Sequence, residues 1–368
     1  MSRCRRRQIT AARRTAADEA ISQERVCDGL ALAATLPAGA SLEYLVRRGE
    51  SSVTGQLKKS RVLMLLTSKF VEQRYEVLRA TAPEIEVLTA LPEYIDSSIE
   101  AMFTFRLPAG VVPRLPALKL VASAGAGADG ILGCEDLPAH VRVTRAVDPG
   151  LGFSMAQFVA MQILRQFRSL SAIEKQHAAA EWKWIDVPDA RKFTVGLMGM
   201  GSMGRVVADV LTGLGFRVTG WVRNERPDSP VPTFSGEAGL APFLSQSDFL
   251  VCLLPLTMQT RGLLNRETLS QLPRHSYVIN VARGGIVVEN DLLELIASGH
   301  LSGAALDVFA TEPLPLDSPF WRHERVLVSP HCAAQPAVEP VVEQFIENLR
   351  RLSAGEKLLN EVDRTAGY

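Results

Sequence analysis

The amino-acid sequence predicts an α/β protein made of two doubly wound parallel-sheet units. Short apolar runs alternate with helical patterns from Arg61 onward, as expected for parallel strands covered by helices on both faces. A long helical pattern interrupts the series, and the alternation restarts at Thr194, so the second unit begins mid-chain. The length of 368 residues suits two domains better than one.

In chain order, the apolar run Arg61–Leu66 predicts a buried strand, Val71–Ala80 a helix and Ile85–Leu88 a second strand. Ala101–Phe105 and Lys119–Ala122 continue the series. A long helix is expected from Phe153, just after Gly150 and Gly152, to Leu170. Strands follow at Thr194–Met198, Arg217–Trp221, Phe249–Leu253, Tyr277–Asn280, Ala304–Leu306 and Val326–Val328. Met203–Leu214 and Asn290–Ser298 read as intervening helices, and Ala337–Leu352 as the last helix.

The composition excludes several classes. Hydrophobic residues make up 47% and charged residues 22%, ordinary for a globular core. Forty basic side chains balance forty acidic ones, so no general attraction to nucleic acid or an anionic membrane is expected. No apolar run is long enough to span a bilayer; the longest candidate, from Gly29 to Val46, is broken by Pro37 and Glu43. Five scattered cysteines (Cys4, Cys27, Cys134, Cys252, Cys332) lack CxxC spacing, which argues against disulfides or structural zinc and fits a reducing, cytoplasmic setting. Six arginines precede the first acidic residue, Asp18. That segment reads as a disordered leader, with an Arg-rich targeting peptide as the alternative. Residues 1–58 stand outside the fold argument.

The string from Thr194 to Gly204 is a strand entering G-x-G-x-x-G, with Gly199, Gly201 and Gly204 as the three glycines. The first permits the tight turn, the second lets the backbone approach a pyrophosphate, and the third allows close packing of the following helix. Met200, Ser202 and Met203 complete the turn, and the helix N-terminus offers free N–H groups to phosphates. A packing turn in an unrelated α/β protein is the alternative. Where an NAD enzyme usually carries Asp or Glu after the second strand, this chain has Val222, followed by Arg223 and Arg226. Guanidinium groups bind a 2′-phosphate that a carboxylate would repel, which favours NADPH over NADH. Glu225 in the same loop tempers that preference.

Three later strings carry chemistry. Val278–Gly285 delivers Arg283 at a strand's carboxyl edge, Gly303–Pro315 carries Asp307 and Glu312, and Val328–Ala334 carries His331. Of the six histidines, His331 alone lies in a string of this kind. With the glycine turn, these strings resemble the D-isomer-specific 2-hydroxyacid dehydrogenase family from about Arg61 to Tyr368. Within it they are nearest the bacterial glyoxylate/hydroxypyruvate reductase group, which the ending Val362–Tyr368 also resembles. The resemblance implies reduction of small 2-keto acids. His331 would be the proton donor, Glu312 its hydrogen-bond partner, and Arg283 the holder of the substrate carboxylate. Asp307 resembles the residue that contacts the nicotinamide carboxamide. Leu254, Pro255 and Thr260 resemble a cofactor-lining LP-x-T loop, with Ala282 beside it. No residue cluster suggests a metal, and Cys332 reads as a small buried filler.

The resemblance also implies a Rossmann nucleotide-binding domain, residues 153–330, inserted into a flavodoxin-like substrate domain of residues 59–152 and 331–368. A homodimer joined through the nucleotide domain is expected. Gly125, Ala126 and Gly127 would offer N–H groups to the substrate carboxylate. Phe105 and Arg106 stand where the nearest relatives carry Trp-His, so a bulkier or doubly charged keto acid stays open. Two further alternatives are a β-hydroxyacid dehydrogenase, whose glycine turn lies at the N-terminus, and a non-catalytic dinucleotide sensor on the same fold.

Overall fold

The computed structural model describes residues 60–66 and 68–367. The expectations for residues 1–58, Cys4 and Cys27 included, lie outside the described residues.

Two wholly parallel sheets form the frame. The first contains β1 (Arg61–Leu65), β2 (Glu86–Leu88), β3 (Ile99–Thr104), β4 (Leu120–Ser123) and β5 (Arg142–Thr144), in the order β2-β1-β3-β4-β5. The second contains β6 (Thr194–Met198), β7 (Arg217–Val222), β8 (Thr233–Ser235), β9 (Phe249–Cys252), β10 (Ser276–Asn280), β11 (Leu301–Leu306) and β12 (Val326–Val328). Their order is β12-β11-β10-β9-β6-β7-β8. Every residue of β4, β6, β9 and β10 is buried, as the continuous apolar runs require of strands covered on both faces.

Helix α1 (Ser68–Thr81) and the last helix, α2 (Val338–Ala354), cover one face of the first sheet together. Phe345 of α2 stacks on Phe103 of β3 at 4.8 Å between ring centroids, inside a core that also holds Val341, Val342 and Ile346. The C-terminal helix therefore buries its apolar face against the sheet that opens the described chain. The long helix α3 (Pro149–Phe167) packs instead on α4 (Ser202–Gly213), in a core shared with Val195, Leu197 and Val218.

Asp148 staples the two crossings between the sheets. Its carboxylate caps α3 by accepting from the Gly150 N–H at 2.9 Å, and accepts from the Ala337 N–H at 3.0 Å, just before α2. This cap explains why α3 starts four residues ahead of the expected Phe153. It also ends early, at Phe167, because Ser169 takes a left-handed conformation (φ 54°) and a separate helix, Leu170–Ala178, follows. The three-residue strands β5 and β8 carry too little apolar periodicity to be read from the sequence. Among the described residues, no helix is long and apolar enough to cross a membrane.

Candidate active site

Every candidate residue lies just beyond the carboxyl end of a parallel strand, where open α/β sheets bind ligands. In the second sheet, β6 leads to the glycine turn, β7 to Arg223 and Arg226, and β9 to Leu254 and Pro255. Likewise β10 leads to Arg283, β11 to Asp307 and Glu312, and β12 to His331. In the first sheet, β3 leads to Phe105 and Arg106, and β4 to Gly125–Gly127.

The glycine turn fits a dinucleotide. Gly199 adopts φ 106°, which favours glycine. A Cβ on Gly204 would lie 2.1 Å from the Gly199 carbonyl oxygen, so the helix reaches its position only without a side chain there. A Cβ on Gly201 would meet nothing within 4 Å, so open space faces the backbone at the N-terminus of α4, where Ser202 and Met203 begin the first turn. Met200 contributes main chain only; its side chain is buried under Gly220. Nη1 of Arg226 reaches the Met200 carbonyl at 3.5 Å, which sets a guanidinium beside the turn. Arg223 is exposed and donates to the Ala366 carbonyl at 3.4 Å, so the C-terminal segment lies beside this loop.

Thr260 corrects one expectation. Its hydroxyl donates to the Pro255 carbonyl at 2.7 Å and accepts from the Thr257 N–H at 2.8 Å, so it braces the loop and is not presented to a ligand. Ala282 is buried, and its carbonyl accepts from Nη1 of Arg283 at 2.7 Å.

Arg283 is held by a carboxylate the sequence did not single out as a site residue. Its Nε donates to both oxygens of Asp129, at 3.0 and 3.1 Å, across 154 residues of chain. Nη2 lies against Gly127 so closely that a Cβ there would be 1.8 Å away. The expected three-donor nest shrinks to two. The Gly125 N–H is taken by Ser123 Oγ at 3.2 Å, and the same hydroxyl donates to the Gly127 carbonyl at 2.6 Å. The N–H groups of Ala126 and Gly127 have no acceptor among the described residues. One free guanidinium nitrogen and two free amides thus meet at one loop, a suitable receptor for a carboxylate.

His331 and Glu312 form the second constellation. Nδ1 of His331 lies 2.8 Å from Oε2 of Glu312, whose other oxygen accepts from the Phe309 N–H at 3.0 Å. Burial pushes the Glu312 carboxyl upward. The hydrogen bonds from His331 and Phe309 and the charges of His331 and Arg283 outweigh it and hold the group below its ordinary value. An ionised carboxylate only accepts, so Nδ1 carries the proton. Nε2 has no partner among the described residues, and the side chain is 48% exposed.

Asp307 is where the structure adds most to the sequence reading. It is 1% exposed. Its Oδ1 accepts from Ser329 Oγ at 2.6 Å and the Cys332 N–H at 2.9 Å, and its Oδ2 from the Ala333 N–H at 2.8 Å. Its carbonyl accepts from the His331 N–H at 2.8 Å. The carboxylate expected to contact the nicotinamide carboxamide thus also holds the loop that carries His331, which sits at φ 52°. Cys332, expected to be buried, is exposed; partial desolvation and the neighbouring Asp307 charge push its thiol pKa up.

Phe105 and Arg106 are exposed at the mouth of the same loop. A Cβ on Gly125 would lie 3.4 Å from the Phe105 ring, and one on Gly130 2.8 Å from the Phe105 carbonyl oxygen. The described residues contain no group of three or more His, Cys, Asp or Glu side chains placed to hold a metal.

A dinucleotide-shaped turn, a carboxylate receptor and a carboxylate-held histidine at one set of strand ends define a dehydrogenase acting on a small acid. Residues 160–333 match the family model described as D-isomer specific 2-hydroxyacid dehydrogenase, NAD binding domain. A relative from Klebsiella pneumoniae (strain 342), called glyoxylate/hydroxypyruvate reductase A, is 40% identical over 257 residues, 68% of this chain and 82% of the relative. A D-isomer-specific 2-hydroxyacid dehydrogenase from Xanthobacter autotrophicus Py2, solved with NADPH and MES, superposes with a TM-score of 0.79 at 36% identity, over 84% of this chain and all of that one. An NADPH-dependent glyoxylate/hydroxypyruvate reductase from Sinorhizobium meliloti, solved with NADP and sulfate, gives 0.78 at 38% identity, again over 84% and 100%. The chain belongs to the D-isomer-specific 2-hydroxyacid dehydrogenase family.

Asp307→Asn leaves at least one buried N–H or O–H donor without its acceptor. The expected result is a loss of roughly 2–3 kcal/mol in chemical denaturation and a drop of about 10²-fold in kcat/KM through misplacement of His331. Unchanged values for both contradict the clasp. The depressed carboxyl of Glu312 stabilises the fold above the ordinary carboxylate range. That contribution is lost as pH falls through its lowered value, and Glu312→Gln should remove this part of the acid titration.

Proposed function

We propose that the chain reduces small 2-keto acids, with glyoxylate and hydroxypyruvate as its reference substrates, to 2-hydroxy acids at the expense of NADPH. The observation that carries this reading is the pairing of His331 Nδ1 with Glu312 at 2.8 Å, which leaves Nε2 unpartnered, with Arg283 near enough for its charge to act on Glu312. When bound, the reduced nicotinamide supplies a hydride to the carbonyl carbon.

The chain's own residues do the rest. Arg283 Nη2 and the N–H groups of Ala126 and Gly127 hold the substrate carboxylate, and Asp129 keeps the guanidinium in place. The arginine's charge favours the negative charge that develops on the carbonyl oxygen. Protonated His331 donates from Nε2 to that oxygen, and Glu312 stabilises the imidazolium and fixes its orientation. Gly199, Gly201, Ser202, Met203 and Gly204 receive the pyrophosphate, with Leu254 and Pro255 along the cofactor's edge. Arg223 and Arg226 supply the positive charge that a 2′-phosphate needs. Asp307 acts through the His331 loop. Residues 153–330 serve as the nucleotide domain, and 59–152 with 331–368 as the substrate domain.

The working form is a cytoplasmic homodimer in this reading. Phe153, Met161, Ile173, Trp182, Trp184 and Val187 are exposed along α3 and the segment after it, and Trp182 is fully exposed. So much apolar surface around one arm is what a subunit interface covers. Sedimentation equilibrium should give twice the chain mass; a stable single-chain mass at micromolar concentration contradicts the dimer.

Absorbance at 340 nm follows nicotinamide oxidation with glyoxylate and hydroxypyruvate. His331→Ala and Arg283→Ala should each lower kcat/KM by about 10²–10⁴-fold. The Arg223→Ala/Arg226→Ala double variant should shift the NADPH-to-NADH ratio of kcat/KM at least about tenfold toward NADH. Full activity in His331→Ala overturns the mechanism, and cofactor binding without turnover of any keto acid favours the sensor.

A further inference from the structure

The mouth of the carboxylate receptor carries more positive charge than a monoanion uses. Arg74, on α1, is 3% exposed. Its Nε is buried without a hydrogen-bond partner, and Nη1 makes a single marginal contact, 3.5 Å to the Phe70 carbonyl. The guanidinium lies against two edge-packed rings instead, with its carbon 5.5 Å from the Phe70 centroid and 5.6 Å from that of Phe105. No carboxylate pairs with it among the described residues, and burial alone pushes its ionisation down. A buried cation in this state is costly unless some anion answers it.

Arg106 adds a second uncompensated guanidinium one residue beyond Phe105. It is exposed, and its side chain makes no hydrogen bond or ion pair among the described residues. The segment is pinned to the substrate loop: Leu107 N–H donates to the Gly130 carbonyl at 3.0 Å, and Gly130 lies under the Phe105 carbonyl. Gly130 follows Asp129, the carboxylate that holds Arg283. Three arginines thus adjoin this loop (Arg74 on Phe105, Arg106 next to it in the chain, Arg283 on Asp129), and the carboxylates near them, Asp129 and Glu312, are already engaged with Arg283 and His331. A substrate with one carboxylate satisfies Arg283 and leaves Arg74 and Arg106 unanswered.

We propose that Arg74, against the Phe105 ring, and Arg106, the next residue in the chain after Phe105, form a second anion subsite, and that the preferred substrate is a 2-keto acid with another carboxylate at its far end. The exposed ring edge of Phe105 packs the intervening methylenes, Arg106 meets the distal carboxylate first, and Arg74 reaches it as Phe105 turns aside. The proposal rests on the reductase reading above and names the substrate class of that same site.

The test pairs keto diacids with keto monoacids of equal length, using purified full-length protein and NADPH. Oxaloacetate is compared with 2-oxobutanoate, 2-oxoglutarate with 2-oxopentanoate, and 2-oxoadipate with 2-oxohexanoate; glyoxylate is the reference. The wild type should favour the diacid at least about tenfold in kcat/KM at one of these lengths, mainly through KM. Arg106→Gln and Arg74→Met should each lower that diacid-to-monoacid ratio several-fold, and Arg106→Lys should restore part of it. Arg106 is exposed, so its variant reports even if Arg74→Met fails to fold. A wild-type ratio of one or less with glyoxylate still reduced, or a ratio unmoved in Arg106→Gln, overturns the subsite and leaves the reductase intact. Absence of turnover with every keto acid overturns both.

Discussion

A single buried carboxylate, Asp307, sets the geometry on which the reactive end of this molecule depends. It gathers a hydroxyl and two backbone amides from residues 329–333, and its own carbonyl takes the His331 amide. Four hydrogen bonds at 1% exposure hold a tight loop that leaves His331 at φ 52°, a strained backbone position for a non-glycine residue. From there the imidazole reaches Glu312. The neighbouring strand ends are locked in the same way: a Cβ on Gly284 would fall 1.8 Å from the Phe309 carbonyl carbon, so the turn after Arg283 and the one before Glu312 touch backbone to backbone.

Each reacting cation has its own carboxylate. Asp129 orients Arg283, and Glu312 orients His331. The two carboxylates come from different sheets, so the cleft is assembled only when both sheets are in place. Asp148, hydrogen-bonded to the starts of both crossing segments, ties them together. Parallel sheets make this arrangement natural, because all their strands end at the same edge and every following loop can contribute one group.

Most of the frame was legible in the sequence because parallel strands are buried on both faces. Thr194–Met198 and Val326–Val328 have the bounds expected of them, and the other expected strands differ by a few residues at their ends. Strands β5 and β8 were not legible, since Arg142–Thr144 and Thr233–Ser235 are short and mix polar with apolar residues. At the site, residue types announced Arg283, Glu312 and His331, but long-range partners did not show. Asp129 closes the G-x-G-x-D string after β4, but that string does not show that it meets Arg283 across 154 residues. Gly125 and Thr260 read differently in sequence and structure for one reason: local hydroxyl and carbonyl groups had already satisfied their polar atoms. Arg74 was invisible because an arginine in an amphipathic helix reads as surface, and only packing shows it buried against the paired rings of Phe70 and Phe105.

The central claim is hydride transfer to a keto carbon with a proton supplied at its oxygen. It is tested most directly with NADPH carrying deuterium at both C4 positions and glyoxylate as acceptor, the product being read by proton NMR. The expected product is glycolate with one deuterium on the carbinol carbon. Glycolate without deuterium at that carbon, or oxidation of the cofactor with no glycolate formed, would contradict it.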